Sequence, residues 1–256
     1  MKNILTAQRR NEIAAELMSK GTIQASAMAE KYNVSTETIR KDIIYLEEMG
    51  LAQKSYGGAI ATQVLIEQPI AVKEVALKDE KAQIAAAAAA MIPENASILL
   101  DGGSSTFALA GQLTMRSDLT IFTNAINIMY LLSSSSNHVF CIGGRVRPSS
   151  RCSVGGWADE HLLSIKPDLA FLGTDHFQGC SGPTSASFDE LHFKKTAASQ
   201  SVKTVILADY TKFQGTNLFT FCEWQNVYRL LTNRAALDNF PKEVKKIQQS
   251  VTIQFA

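Results

Sequence analysis

From residue 97 to residue 231 the chain alternates short apolar runs with segments of helical period. This alternation constrains the fold more than any other feature. The apolar runs are 97–100, 119–123, 138–142, 169–172, 204–208 and 227–231, and helical patterns lie between most of them, at 107–113, 125–132 and 190–200. An alanine-rich helix over 78–91 comes first, closed by Pro93. Strands separated by helices cannot close as hairpins, so the expected fold is α/β, a Rossmann-like and mostly parallel sheet flanked by helices. In such sheets ligands bind beyond the carboxyl ends of the strands.

Polar turns follow the strands at those ends. Asp101-Gly102-Gly103-Ser104-Ser105-Thr106 follows the first strand and opens a helix. Glycines let backbone approach a ligand, hydroxyls donate, and a helix N-terminus favours an anion. No Gly-Lys-Ser/Thr follows, so this is not a Walker motif. Thr123-Asn124, Gly143-Gly144-Arg145, Gly173-Thr174-Asp175-His176 and Asp209 to Lys212-Phe213 follow later strands. Five such turns on one edge point to a shared pocket. Glu190 and Lys194 stand four apart on a helix, where they can pair along one face or serve the pocket.

The first sixty residues have another pattern. A helix over 6–19, with Ile13, Leu17 and Met18 inward, stops at Lys20-Gly21. A short helix over 26–32 offers Met28, Ala29 and Tyr32 for packing. Ser35 then caps a third helix reaching Gly50, with Ile39, Ile43, Leu46 and Met49 on one face. Glu37 sits in its first turn, where the helix dipole favours a carboxylate. An extended segment over 51–56, a Gly57-Gly58 turn and a return through Ala59-Ile60 complete a winged helix-turn-helix. Such a third helix can enter a DNA major groove. Ser35, Thr36, Thr38 and Arg40 are the candidates at its start, Arg40 being best suited to a guanine edge. Lys41, Lys54, Ser55 and Tyr56 suit phosphate contacts. Asp42 is a poor DNA contact and is expected to pair with Lys41, Lys54 or an arginine of the first helix.

The run Ala29-x-x-Tyr32-x-Val34-Ser35-x-x-Thr38-Ile39-Arg40-Lys41-Asp42-Ile43-x-x-Leu46-Glu47, then Gly50-Leu51 and Tyr56 to Ala59, resembles the N-terminal domain of DeoR-family bacterial transcriptional regulators. Tyr56 stands where the family usually has His. The later turns, with the Val154-Gly155, Gly182 to Ser185, Glu190/Lys194 and Leu207 to Phe213 segments, resemble the family's C-terminal sensor domain in the same order. The resemblance implies a sensor fold like ribose-phosphate isomerase and a pocket for a phosphorylated sugar or related metabolite that alters operator affinity. It implies that Ser104, Ser105 and Thr106, in the turn with Gly102 and Gly103, hold the phosphate. Asp101, Asn124, Asp175, Glu190 and Lys212 contact hydroxyls or shape the pocket, with Gly144 at its edge, and Lys194 pairs with Glu190 or the ligand. His176 replaces the family's usual Gly, either as a solvent-facing loop residue or as one that narrows the pocket. Pro183 and Ser185 also depart from the family pattern.

Composition adds exclusions. The net charge of +1 argues neither for nor against nucleic acid by itself, and the same balance of +1 over the first sixty residues counts mildly against a DNA-binding segment, which is usually clearly basic. The four scattered cysteines have no metal-ligand spacing, so no metal and no disulfide is expected. No cofactor is expected. Charged residues near the N-terminus and the lack of a long apolar run predict a cytoplasmic protein without a membrane partner. The expected organisation is a DNA-binding domain over 1–60, a linker over 61–75 and an effector-sensing domain over 76–256. The expected function is regulation of a carbohydrate operon, as a repressor binding double-stranded operator DNA as a homo-oligomer, dimer or tetramer. Two alternatives are a sugar-phosphate isomerase with a DNA-binding appendage and a regulator with a ligand-blind second domain.

Overall fold

The computed structural model describes residues 6–48, 52–61 and 70–256, and the chain divides into two compact units, 1–67 and 68–256. The 62–69 part of the expected 61–75 linker, and the Met49, Gly50 and Leu51 positions, lie outside the described residues, as does the side chain of Met18, while Ala61 belongs to the last strand of the first unit. Residues 70–75, assigned to the linker on sequence, form a helix of the second unit.

In the first unit, helix α1 (Thr6–Lys20) leads to a short strand β1 (Thr22–Gln24), then α2 (Ala25–Tyr32), α3 (Thr36–Glu48) and the hairpin β2 (Ala52–Ser55) and β3 (Gly58–Ala61). Asn33 ends α2 in the left-handed conformation at φ 51°, and its N–H and that of Val34 return to carbonyls of α2. Ser35 Oγ accepts the Thr38 N–H at 3.1 Å, which supplies the cap that α3 needs. Ile13, Leu17, Met28, Ile39, Ile43 and Leu46 meet in one core under the three helices. Burying each of these side chains contributes roughly 1.5–3 kcal/mol.

The wing has three strands where the sequence suggested two. β1 pairs antiparallel with β3, setting Gln24 opposite Gly58, and β3 pairs with β2. The tight turn falls at Tyr56-Gly57, and Gly58 already belongs to β3. A Cβ on Gly58 would stand 1.9 Å from the Ile23 carbonyl oxygen, so close strand approach, rather than the turn, requires this glycine. Gly58→Ala is expected to unpair β1 and to destabilise the unit by about 1–3 kcal/mol, as overpacking does. Denaturant unfolding of the full chain checks this, and an unchanged midpoint would refute the packing argument.

The second unit opens with α4 (Ile70–Val75) and α5 (Lys78–Ala89). Its seven-stranded sheet runs, in spatial order, β14 (Ile253–Phe255), β13 (Arg229–Thr232), β11 (Lys203–Leu207), β9 (Leu169–Gly173), β4 (Ser97–Leu100), β5 (Thr120–Thr123) and β6 (His138–Cys141). Every neighbouring pair in this sheet is parallel. Side chains alternate between two cores. Ile98, Leu100 and Phe171 face α5, α6 (Ser104–Gln112) and α7 (Ile126–Leu132), while Leu99, Ala170 and Leu172 face α8 (Gly156–Leu163), α9 (Phe188–Gln200) and α11 (Pro241–Ile247). Small hairpins β7 (Arg145–Arg147) with β8 (Cys152–Val154), and β10 (Thr184–Ser185) with β12 (Phe219–Thr220), lie outside the main sheet. Helix α10 (Ala235–Asn239) completes the set.

The chain starts at β4, builds outward through β5 and β6, then returns to the other side of β4 for β9, β11, β13 and β14. The strand order therefore reverses between β4 and β9. That crevice is where an open parallel sheet offers a ligand site.

Candidate functional site

The candidate nucleic-acid surface of the first unit is the outer face of α3 with the wing. Arg40 and Lys41 are exposed there, and Thr36 and Thr38 are half-buried near the helix start. Ser35 Oγ also lies 2.8 Å from the Thr38 hydroxyl, so both are tied to the cap. Among the described residues Arg40 reaches Glu37, at 3.3 Å, with both side chains close to two-thirds exposed. Such a pair holds its partners weakly, by about 0–1 kcal/mol, and leaves Arg40 available to a base edge. Ser55 and Tyr56 are exposed at the wing tip. Lys54 differs from the expectation of a free phosphate contact. Its ammonium pairs with Glu47 at 3.0 Å and its N–H donates to the same carboxylate. The Lys54 N–H and then its ammonium hold the Glu47 carboxyl below its usual range.

Asp42 resolves to the first-helix arginines. Its two oxygens accept Arg9 Nε at 2.7 Å and Arg10 Nε at 2.9 Å. The Arg10 guanidinium also lies 4.1 Å from the centre of the Tyr45 ring. This clamp fixes α3 against α1, so it sets the angle at which α3 is presented.

In the second unit the expected turns gather at the carboxyl edge of the sheet. Asp101, at the end of β4, is buried, and both its oxygens accept the Gly173 N–H, at 2.9 and 3.0 Å. Lys194 of α9 donates to Asp101 Oδ2, and to the Gly173 carbonyl at 2.8 Å. A buried ion pair thus bridges the two strands at the reversal of strand order. Burial pulls the Lys194 ammonium pKa down, but the charges of Asp101 and Glu190 more than offset this and leave it raised. Lys194 therefore pairs with Asp101, a residue 93 positions away, while Glu190 lies near Arg147 Nη1 at 3.4 Å.

The Gly102-Gly103 turn approaches Cys152 so closely that a Cβ on Gly102 would stand 1.7 Å from its sulfur. A Cβ on Gly144 would come within 2.9 Å of the Val154 carbonyl oxygen. Gly103 precedes α6 without a side-chain cap. The first N–H groups of a helix have no acceptor within it, so those of Ser104, Ser105 and Thr106 can serve an anion. Thr106 corrects one expectation. Its hydroxyl is buried and donates to the Gly103 carbonyl at 3.0 Å, which leaves its N–H, not its side chain, for a ligand. Asn124 is buried after β5, donates Nδ2 to the Ser153 carbonyl at 2.9 Å, and keeps Oδ1 without a partner among the described residues.

Asp175 follows β9. Its Oδ1 accepts Lys73 Nζ at 2.9 Å and its Oδ2 accepts the Ala186 N–H at 2.8 Å. Burial works to raise its carboxyl, but Lys73 and that N–H hold it well below the usual carboxylate range. His176 is neither solvent-facing nor a ligand group by its Nδ1. That nitrogen meets the carbonyls of Thr211, at 3.1 Å, and Gln214, and so pins the loop after β11. Burial, then Lys212, lowers the His176 pKa. The half-buried Lys212 ammonium makes no hydrogen bond or ion pair among the described residues. Lys73 and Arg147 join this edge without having been picked out on sequence. The Gly-Gly-Arg-Val-Arg motif carried a signal for Arg147, and nothing local marked Lys73.

Two family models account for most of this chain. The DeoR-like helix-turn-helix domain matches residues 9–64, and the DeoR C terminal sensor domain matches residues 77–234. The chain belongs to the DeoR family. It is a DNA-binding transcriptional regulator and not an enzyme, which removes the isomerase alternative. The lactose phosphotransferase system repressor of Staphylococcus aureus is 31% identical, across 84% of this chain and 87% of that protein. The HTH-type transcriptional regulator IolR of Bacillus subtilis is 26% identical, across 91% of this chain and 93% of that one. Among solved structures, ribose 5-phosphate isomerase A from Methanocaldococcus jannaschii overlaps 53% of the chain and 54% of its own at 15% identity and a TM-score of 0.40, a slight likeness. Among the described residues no helix is long and apolar enough to cross a membrane, and no cluster of metal-ligating side chains is found.

Proposed function

We propose that this DeoR-family regulator represses a carbohydrate-utilisation operon and that a phosphorylated sugar or related metabolite, bound at the carboxyl edge of the second unit, changes its affinity for double-stranded operator DNA. The observation that carries the ligand reading is a convergence. The uncapped N-terminus of α6, the buried Asn124 Oδ1, which has no partner among the described residues, and the half-buried Lys212 ammonium lie on one edge of the sheet. The first offers donors to a phosphate, the second accepts a sugar hydroxyl, and the third carries a compensating charge. In this reading Ser104, Ser105 and the Thr106 N–H hold the phosphate, Asn124 and Lys212 touch the ligand, and Asp101, Asp175, His176 and Lys194 shape the site. The repressor reading is supported by relatives such as the one named lactose phosphotransferase system repressor.

DNA contacts are assigned to Ser35, Thr36, Thr38, Arg40, Lys41, Lys54, Ser55 and Tyr56 in this reading, with the functional division near residue 60. A homo-oligomer follows from recognition physics, since one short helix reads too few bases and paired half-sites supply the rest. Thermal shift with a panel of sugar phosphates tests the ligand, with Ser105→Asp expected to abolish the shift through carboxylate–phosphate repulsion. Arg40→Ala is expected to weaken operator binding by about 1–3 kcal/mol and relax one base preference, while leaving stability within about 0.5 kcal/mol. Fluorescence anisotropy on operator variants measures this, and undiminished affinity would remove Arg40 from the reading head.

A further inference from the structure

The amino edge of the main sheet, opposite the turns described above, carries a cavity of about 370 Å³. That volume falls within the roughly 300–1,000 Å³ of small-molecule sites. Lys203 opens β11 and Arg229 opens β13. Lys203 stands in register with Leu169, and Arg229 with Val205. Leu169 and Val205 belong to the core on the α5 side, and neighbours in register share a face, so both cations project to that side. Met91 and Pro93, in the turn after α5, line the cavity together with Leu169 and Val202. This turn is braced. Arg116 donates to the carbonyls of Ile92 and Pro93, at 3.4 and 3.1 Å, and is itself held by Asp118 at 2.6 Å.

The polar side chains of the cavity converge on Tyr228. The Lys203 ammonium lies 4.5 Å from the centre of its ring and the Arg229 guanidinium carbon 5.2 Å. The ring attracts each cation, but the cations repel each other, and among the described residues neither has an ion pair. The Asp168 carboxylate lines the same cavity, and its Oδ2 is committed to Ser97, whose N–H and hydroxyl it accepts at 2.8 and 2.6 Å. Arg229 is held from one side. Its Nη1 donates to Gln254 Oε1 at 2.7 Å, whereas its Nε is buried and has no hydrogen-bond partner among the described residues. A buried donor left unmet, beside an unpaired ammonium, calls for an acceptor. We propose that this cavity is a second ligand site, one that takes an organic monocarboxylate with an apolar body. The carboxylate meets the Lys203 ammonium and, as the Arg229 side chain turns toward it, the Nε–H edge of the guanidinium, a geometry made for two parallel N–H bonds to one carboxylate. Two cations and one carboxylate leave the lining side chains at a net charge of +1, which matches a monoanion and works against a phosphate dianion. The apolar body rests on Met91, Leu169 and Val202. The site stands apart from the α6 turn, at the other end of the strands, and does not depend on the reading of that turn.

The test uses the full chain with isotope-labelled methionine methyls read by NMR, the Met91 resonance being assigned through Met91→Leu. The probes are benzoate and hexanoate, with benzamide as the neutral match of benzoate. At least one carboxylate is expected to move the Met91 resonance saturably, and benzamide is expected to leave it in place. Arg229→Gln and Lys203→Gln are each expected to bind that carboxylate about tenfold more weakly, the loss of one charge-assisted contact, while Lys203→Arg keeps most of the affinity. Lys203 is exposed, so Lys203→Gln keeps the fold, and the remaining methionine resonances verify this for each variant. Inorganic phosphate at mildly alkaline pH is expected not to displace the bound carboxylate. The site is overturned if neither carboxylate moves Met91, if benzamide moves it as benzoate does, or if both glutamine variants bind as the wild type does. Displacement by phosphate overturns the monocarboxylate assignment.

Discussion

Asp42→Ala is expected to destabilise the first unit by about 3–5 kcal/mol, the loss typical of breaking a buried ion pair from one side. The Asp42 side chain is 2% exposed and that of Arg9 8%. Removing the carboxylate leaves the Arg9 guanidinium buried without its anion, whereas Arg10, more exposed and stacked on Tyr45, can turn to water. The reverse change is milder, because Arg9→Ala leaves Asp42 with Arg10. Replacing both members of the inner pair, Arg9→Met with Asp42→Leu, is expected to recover most of the loss, since no unpaired charge then remains. Denaturant unfolding followed by hydrogen exchange in α1 and α3 separates the first unit from the second. Operator binding should fall with Asp42→Ala, because α3 loses its fixed angle to α1. A midpoint unchanged by Asp42→Ala would mean that the clamp contributes nothing.

Lys194→Met should act on the second unit with similar force, about 3–5 kcal/mol, for the same reason. It strands the Asp101 carboxylate, 2% exposed, with the Gly173 N–H as its remaining partner at the β4–β9 crevice. Effector response should vanish too, since the ion pair holds together the two strand ends that frame the site. The pH dependence has a definite sign. The folded pKa of Lys194 is raised above its ordinary 10.5. Its contribution is therefore fully present below about 10.5 and is lost as pH rises through the higher folded value. The gap in unfolding free energy between wild type and Lys194→Met should stay constant from neutral pH to about pH 10 and close only beyond it. A gap that closes near pH 7 would contradict the buried pair.

Elements whose signal is local were legible in the sequence. The apolar runs at 97–100, 169–172 and 204–208 became central strands because both faces of a parallel sheet are covered, which demands consecutive apolar residues. The α3 cap was legible in Ser35, because capping acts over one turn. β1 was missed because three residues with one buried side chain, Ile23, carry no period. α4 was assigned to the linker because its hold comes from Lys73 and Glu74 reaching distant loops, not from an apolar face. The site followed the same division. The turns that form it were visible, since each lies directly after its strand. Their pairings were not. Lys194 stands one helical turn from Glu190 yet its ammonium goes to Asp101, and His176 turns to the backbone after β11. Such choices depend on which strands become neighbours, and local spacing does not encode strand order.

The proposed function turns on coupling between operator binding and ligand occupancy, which a mobility-shift titration measures directly. The full chain is titrated onto DNA upstream of its own transcription unit, with and without each of a panel of sugar phosphates, alongside Arg40→Ala and Ser105→Asp. The expected result is a specific complex that Arg40→Ala weakens, with an affinity that one sugar phosphate changes in the wild type and leaves unchanged in Ser105→Asp. A complex indifferent to every sugar phosphate, or one that responds equally in Ser105→Asp, would contradict it.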